Sequence, residues 1–124
     1  PYLATSEITL AELLVHPIRR GDTDRVVVYE TTISPSAVLT VKSVDRAVLR
    51  DAGRLRAFHP TLRLPDAIHL SSALFLKSPI FLTADQKLLG WVPDPADYFE
   101  NFARLRLTSP DLSTLRGLIS ELSS

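Results

Sequence analysis

A short, unbroken run of apolar residues in the second half of the chain limits its fold more than any other segment. Pro79 opens Ile80-Phe81-Leu82-Thr83, in which polar and apolar positions do not alternate. A strand that is apolar on both faces is typical of a parallel sheet covered by helices on both sides. Ligands of such sheets bind beyond the carboxyl ends of the strands, and Asp85 follows that end. The run therefore predicts both a fold class and the place of a site.

The rest of the chain carries alternating strand and helix signals. Apolar residues recur at helical spacing from Val44 to Phe58, and the segment from Pro65 to about Lys77 is apolar nearly all round, which predicts a buried helix. Thr23–Thr32 contains strand-forming valines, but a capping residue before it favours a helix. Further strands are predicted at Tyr2–Ser6, Ala37–Val41 and Leu105–Leu107, with helices from Ser6 to about Pro17 and through residues 112–122. This order predicts an α/β sandwich.

Length and charge limit the possible functions. The 124 residues suffice for one domain, and 14 basic side chains balance 14 acidic ones, so no global field directs the chain to nucleic acid or to an anionic membrane. Cysteine is absent and the three histidines are scattered, which disfavours a zinc site and agrees with a reducing cytoplasm. No apolar stretch approaches the roughly 20 residues that span a bilayer.

Three carboxylates lie among apolar residues, each where a helix begins or a buried strand ends. They are Glu12, Asp66 and Asp85. Carboxylate oxygens are the ligands that Mg²⁺ and Mn²⁺ prefer, and an α/β fold can gather them from distant segments. A metal-dependent phosphodiesterase is the chemistry that such a site favours.

Each of these residues also has a simpler structural interpretation. Asp66 can stabilise the positive end of its own helix, Glu12 can be a solvated helix residue, and Asp85 can cap a following helix. His69 lies one turn after Asp66 and can reach the same site, although packing inside the helix layer is the favoured interpretation. We interpret the three acids as ligands and His69 as a core residue.

Basic residues form a stripe on one predicted helix. Arg46, Arg50 and Arg54 are four residues apart and so share a face of the Val44–Phe58 helix. The stripe can follow the phosphates of RNA, or it can be an ordinary solvated face with Asp45 and Asp51 nearby. The sequence leaves both interpretations open.

Residues 5–14, 62–70 and 81–88 together resemble the PIN domain family, and among its members most closely the ribonuclease toxins of VapBC toxin–antitoxin pairs. The resemblance implies a three-layer α/β/α sandwich with a central, mainly parallel sheet. On this view, residues 1–124 form a single PIN-like domain that residues 92–124 complete or flank. It places Glu12, Asp66 and Asp85 on the second, third and fourth acids of the family, with Thr83 as the hydroxyl beside the last.

The resemblance also implies an activity. We expect a Mg²⁺- or Mn²⁺-dependent endoribonuclease of the cytoplasm that is inhibited by a cognate antitoxin, forms a homodimer and does not bind membranes. Family members begin with a strand that ends in a further Asp ligand, and this chain shows no such segment before Tyr2–Ser6. Its start at Pro1 without any methionine favours an N-terminally incomplete domain over a degenerate one, and the lack of the first acid can make such a fragment inactive. The alternatives are a non-catalytic module that binds RNA or protein, and a small-molecule-binding domain whose acids are structural.

Overall fold

The computed structural model describes residues 3–76, 80–84 and 106–108, together with Gly117 and Ser120. Strands and helices alternate along these residues. Their bounds are β1 Leu3–Ser6, α1 Glu7–Arg19, α2 Thr23–Thr32, β2 Leu39–Lys42, α3 Arg46–Phe58, α4 Leu64–Leu76, β3 Ile80–Leu82 and β4 Arg106–Thr108.

The four strands form one parallel sheet in the order β2-β1-β3-β4. Strand β1 pairs with β2 from Leu3 opposite Leu39 to Ser6 opposite Lys42, and β3 joins its other side with Ile80 opposite Leu3. The carboxyl ends of the strands therefore share one edge. The α/β class with a parallel sheet, predicted from the apolar run, is confirmed.

Several predicted boundaries differ from the structure; α3, for example, begins at Arg46 instead of Val44 because Asp45 caps it, and two others have similarly local causes. Helix α1 continues past Pro17 to Arg19, because a proline in the last turn removes a single hydrogen bond and leaves the following residues free to complete that turn. The chain then reverses at Gly21, whose φ of 68° lies in the left-handed region that glycine adopts most easily. Strand β2 begins at Leu39 instead of Ala37, since the Ser36 hydroxyl accepts from the amides of Val38 and Leu39 and holds a turn there.

The ambiguous segment Thr23–Thr32 is a helix, as predicted. The Asp22 carboxylate accepts from the amide of Arg25 at 3.1 Å and satisfies one of the first amides of α2. None of the three valines in this helix is buried, so they gain none of the packing against a neighbouring strand that favours valine in sheets. Capping thus decides the conformation here.

Helix α4 is the centre of the described core. Every residue from Asp66 to Ala73 is buried, which confirms the prediction from its apolar composition. One cluster joins α4 to α3 through Val48, Ala52, Leu55, Leu62, Ala67, Ile68 and Leu70. A second joins the far end of α4 to the sheet through Ala4, Ala73 and Phe81. Residues on α4 are therefore held rigidly against the sheet.

The carboxyl-terminal predictions are tested only in part. Strand β4 agrees with the predicted strand at Leu105–Leu107 to within one residue, and Gly117 and Ser120 are helical. The rest of the helix predicted through residues 112–122, and the role of residues 92–124, lie outside the described residues. Within the described ranges, no helix is long and apolar enough to cross a membrane.

The start of α3 yields a prediction about pH. Asp45 caps this helix, and the hydrogen bond from Lys42 Nζ at 2.7 Å, followed by the bond from the Val48 amide, lowers the pKa of its carboxyl group. The charged form is therefore favoured in the folded state, so its stabilising contribution is present above the unfolded pKa of about 4 and is lost as pH falls through the folded value. We expect Asp45→Asn to lower the free energy of unfolding at pH 7, and less so at acidic pH.

Urea unfolding of the native protein and of Asp45→Asn between pH 7 and pH 3 measures this difference. The amide keeps an oxygen that can cap α3, so the comparison isolates the charge. A difference that stays constant down to pH 3 would contradict the assignment.

Candidate functional site

Glu12 owes its position to the direct passage of β1 into α1. Ser6 ends the strand and caps the helix by accepting from the amide of Ile8 at 3.3 Å, so no loop separates the two elements. Glu12 follows Ser6 by six residues, about 9 Å along a helix axis. Its side chain is half-buried, with 29% of its surface exposed. The interpretation of Glu12 as a solvated helix residue is therefore incomplete.

The half-buried Glu12 carboxylate contacts a histidine of α4. His69 Nε2 lies 2.5 Å from Glu12 Oε1, and the imidazole is completely buried. The ring also meets Phe81 of β3 edge to face, with centroids 6.0 Å apart. Two residues that are 57 positions apart in sequence are thereby joined across α1 and α4.

His69 combines the two interpretations that the sequence left open, of which packing in the core was the favoured one. It does pack in the core, yet it also binds a predicted site residue. The signal that identifies it is its setting: a histidine on a helix that is apolar nearly all round must find a polar partner, since buried polar groups are almost always hydrogen-bonded.

Asp66 lies one turn before His69, in the first turn of α4, and its side chain is only 7% exposed. Oδ2 accepts from the Arg63 amide at 3.2 Å and lies 3.5 Å from Arg63 Nε. An acidic residue at the third helical position that binds the capping residue's amide stabilises the helix start. Asp66 therefore stabilises the start of α4, and this role is compatible with metal binding because a carboxylate has two oxygens.

Buried hydroxyls of β1 and α1 contact the end of β3. Thr5 Oγ1 donates to the Leu82 carbonyl at 2.9 Å, and Thr9 Oγ1 lies 2.9 Å from Thr5 Oγ1. Thr83, the predicted hydroxyl of the site, follows immediately and is also buried. The two threonines therefore fix where β3 delivers the residues that come after it.

This arrangement predicts a stability effect. Thr5→Val keeps the shape of the side chain but leaves the buried Leu82 carbonyl without its closest donor, which costs about 1–3 kcal/mol of unfolding free energy. Thr31→Val is the matched control, because the exposed Thr31 hydroxyl donates only to the Val27 carbonyl of its own helix. Chemical denaturation of both variants gives the comparison, and equal losses would contradict the role of Thr5.

The remaining predicted residues are Asp85 and the three arginines of α3. Asp85 lies outside the described residues. Arg46, Arg50 and Arg54 are exposed on α3, where Arg54 pairs with Asp51 at 3.3 Å. Such a pair is usual on a solvated face, so contact of the stripe with RNA stays a prediction.

The donor chemistry fits a hard cation. Glu12 on α1 and Asp66 on α4 supply carboxylate oxygens, and both are partly or largely removed from water. Within the described part of the chain, no group of three or more His, Cys, Asp or Glu residues is placed to hold a metal ion. A complete site needs a further ligand, and Asp85 is the predicted one.

The fold is a parallel α/β domain whose helices α1 and α4 carry the acidic residues Glu12 and Asp66. The PIN domain family matches residues 1–89, and the chain belongs to that family, with the α/β/α architecture that the resemblance implied. PIN domains are generally metal-dependent nucleases, most often ribonucleases, so a nuclease-like hydrolase is the class to which this chain belongs. Comparison with curated proteins and with solved structures gives no match.

Proposed function

We propose that this protein is a Mg²⁺-dependent endoribonuclease, with Mn²⁺ as an alternative cofactor. The observation that supports the proposal is the contact between Glu12 and His69, which brings an acidic residue of α1 to the helix that carries Asp66. Glu12, Asp66 and Asp85 would hold the cation. When bound, it supplies an activated water and offsets the negative charge of the transition state.

The chain's own residues prepare this chemistry by holding their carboxylates in fixed positions. Asp66 is restrained by the Arg63 amide and Glu12 by His69, while Thr83 lies buried at the end of β3. Groups that are fixed before the substrate binds need not reorganise during the reaction. The exposed arginines of α3 would bind phosphates away from the cleaved bond.

The finer assignment rests on the three segments that resemble VapBC ribonuclease toxins. On that basis we propose that the protein is the toxin of a type II toxin–antitoxin system, acts in the cytoplasm, forms a homodimer and is inhibited by a cognate antitoxin. The balanced net charge supports recognition of RNA by a local surface instead of by the whole protein.

Metal removal tests the proposed activity. We expect the protein to cleave RNA in the presence of Mg²⁺, to release products with a 5′-phosphate, and to lose this activity when EDTA is added. Gel analysis of a labelled RNA measures cleavage, and restoring Mg²⁺ after chelation is the control. Cleavage that persists in EDTA would contradict the proposal.

A non-catalytic module that binds RNA or protein is the second candidate. The observation that favours it is that the described residues alone do not form a metal site with three ligands. This candidate predicts that RNA binding continues in EDTA, and that calorimetry detects no uptake of Mg²⁺ or Mn²⁺. A calorimetric titration with Mg²⁺ or Mn²⁺ therefore distinguishes the two candidates, since only the nuclease is expected to bind the cation.

A further inference from the structure

His69 is a buried polar side chain whose role the proposed activity does not yet include. Its ring is completely buried between α4 and the sheet, and Phe81 packs edge-on against it. Nδ1 has no hydrogen-bond partner among the residues that the structure describes, so the contact with Glu12 is the polar interaction that this imidazole makes there. Burial of a histidine with one satisfied nitrogen costs free energy, and the Glu12 contact compensates part of that cost.

The direction of the contact follows from its chemistry. An ionised carboxylate can only accept, so Nε2 is the nitrogen that donates across the 2.5 Å to Glu12 Oε1. Hydrogen bonds to a charged acceptor are shorter and stronger than neutral ones. Because the ring is enclosed by the core and by Phe81, the donor points in one fixed direction.

Glu12 needs such a restraint more than Asp66 does. Asp66 has a short side chain, and the Arg63 amide already holds its Oδ2. Glu12 has an additional rotatable bond, and 29% of its side chain is exposed. Its helix, α1, also has a neighbour, α2, that contributes no buried residue to the core. Fixing a long side chain costs about 1–2 kcal/mol of conformational entropy. Because the contact with His69 already holds Glu12 before a ligand binds, ligand binding need not supply that free energy.

We propose that His69 is a positioning residue that holds the Glu12 carboxylate in its metal-binding orientation. The proposal rests on the proposed function, since it assigns His69 to the same site. The contact occupies Oε1 of Glu12, and one carboxylate oxygen suffices to bind a cation. A histidine that orients an acidic ligand is a partner of the ligand, and loss of such partners commonly lowers metal affinity by about 10–100-fold.

Two amide substitutions separate positioning from packing. In His69→Gln the amide lies at about the reach of Nε2 and can still donate to Glu12, whereas in His69→Asn it lies at about the reach of Nδ1 and cannot. Both variants introduce a carboxamide group at the same buried residue, so they differ mainly in how far that group reaches. We expect His69→Asn to lower the affinity for Mn²⁺ by at least about tenfold and His69→Gln to restore it to within about threefold of the native value.

Isothermal calorimetry with MnCl₂ measures these affinities without RNA, and thermal unfolding in EDTA confirms that each variant is folded. Equal Mn²⁺ affinities for the native protein and both variants would overturn the positioning role. Equal losses in both variants would also overturn it, because packing alone would then explain the effect.

A second measurement tests the contact without any metal. Unfolding free energies in EDTA are compared for Glu12→Gln, His69→Asn and the double variant. If the two side chains interact, the effects of the single substitutions are not additive. Additive effects would overturn the inference, whatever the metal titrations show.

The tests also separate this inference from the proposed function. Native protein that binds Mn²⁺, and loses it in Asp66→Asn, supports the metal site independently of His69. Native protein that binds no Mn²⁺ overturns the proposed function and the positioning role together, whereas equal affinities in the His69 variants overturn the positioning role alone.

Discussion

Asp66→Asn is expected to reduce Mg²⁺-dependent RNA cleavage at least about a hundredfold. Removing a residue that only orients a metal ligand lowers metal affinity or activity by up to about a hundredfold, so removing a ligand itself should have at least that effect. The substitution replaces a buried carboxylate by a neutral amide of the same shape. The amide oxygen can still accept from the Arg63 amide, so the start of α4 keeps its hydrogen bond. The charge–dipole interaction of the first turn is lost, about 0.3–1 kcal/mol, together with the ion pair to the exposed Arg63 side chain. Activity should therefore fall far more than stability.

Asp22→Asn provides the matched control for this measurement. Asp22 also accepts from a backbone amide at a helix start and pairs with a nearby arginine, but it belongs to α2 and is exposed. Rates of cleavage at saturating Mg²⁺ should be unchanged in Asp22→Asn. Undiminished cleavage by Asp66→Asn would remove Asp66 from the site.

Phe81→Ala is expected to lower the free energy of unfolding by about 3–5 kcal/mol, the range found when large buried aromatic residues are truncated. Phe81 is completely buried in β3, which pairs with β1 on one side and β4 on the other. It packs with Ala4 and Ala73, whose side chains are too short to fill the resulting cavity, and with the partly buried Leu76. Most of the cavity should therefore remain.

Phe75→Ala is the control for Phe81→Ala. Phe75 is 53% exposed, and its described ring contact is with Lys42 Nζ, 4.4 Å from the ring centre. An exposed cation–π contact contributes about 0.5–1 kcal/mol, so the loss should be small. Chemical denaturation distinguishes the two, and similar losses would show that Phe81 does not anchor the sheet.

The elements that could be predicted from the sequence are those whose apolar pattern extends over several turns or whose ends carry a proline or a capping residue. Helix α3 follows from apolar periodicity, α4 from a segment that is apolar nearly all round, and β3 from an apolar run opened by proline. Residues Thr23–Thr32 were harder, because the propensity of the valines and the capping by Asp22 favour different conformations. Boundaries near Pro17 and Ala37 depend on single hydrogen bonds, which a pattern of residue types does not specify.

The site was predictable as a set of acids but not as a set of contacts. Glu12 and Asp66 stand out because carboxylates among apolar residues need a reason to be there. The contact of Glu12 with His69 joins residues 57 positions apart, so it depends on how α1 and α4 pack on the sheet. Local propensity carries no information about that packing. The metal ligand role of Asp85, and the contact of the α3 arginines with RNA, stay predictions.

The absence of a linker between β1 and α1 has a consequence for how this chain can vary. An insertion of one residue after Ser6 would advance Glu12 by about 1.5 Å and rotate it by about 100° around the helix axis, away from His69. An insertion in the turn before β2 would leave that geometry unchanged. We therefore expect changes of length to be tolerated in the turn before β2 but not at the junction of β1 and α1. The number of residues between the end of β1 and Glu12 is thus as much a part of the site as Glu12 itself.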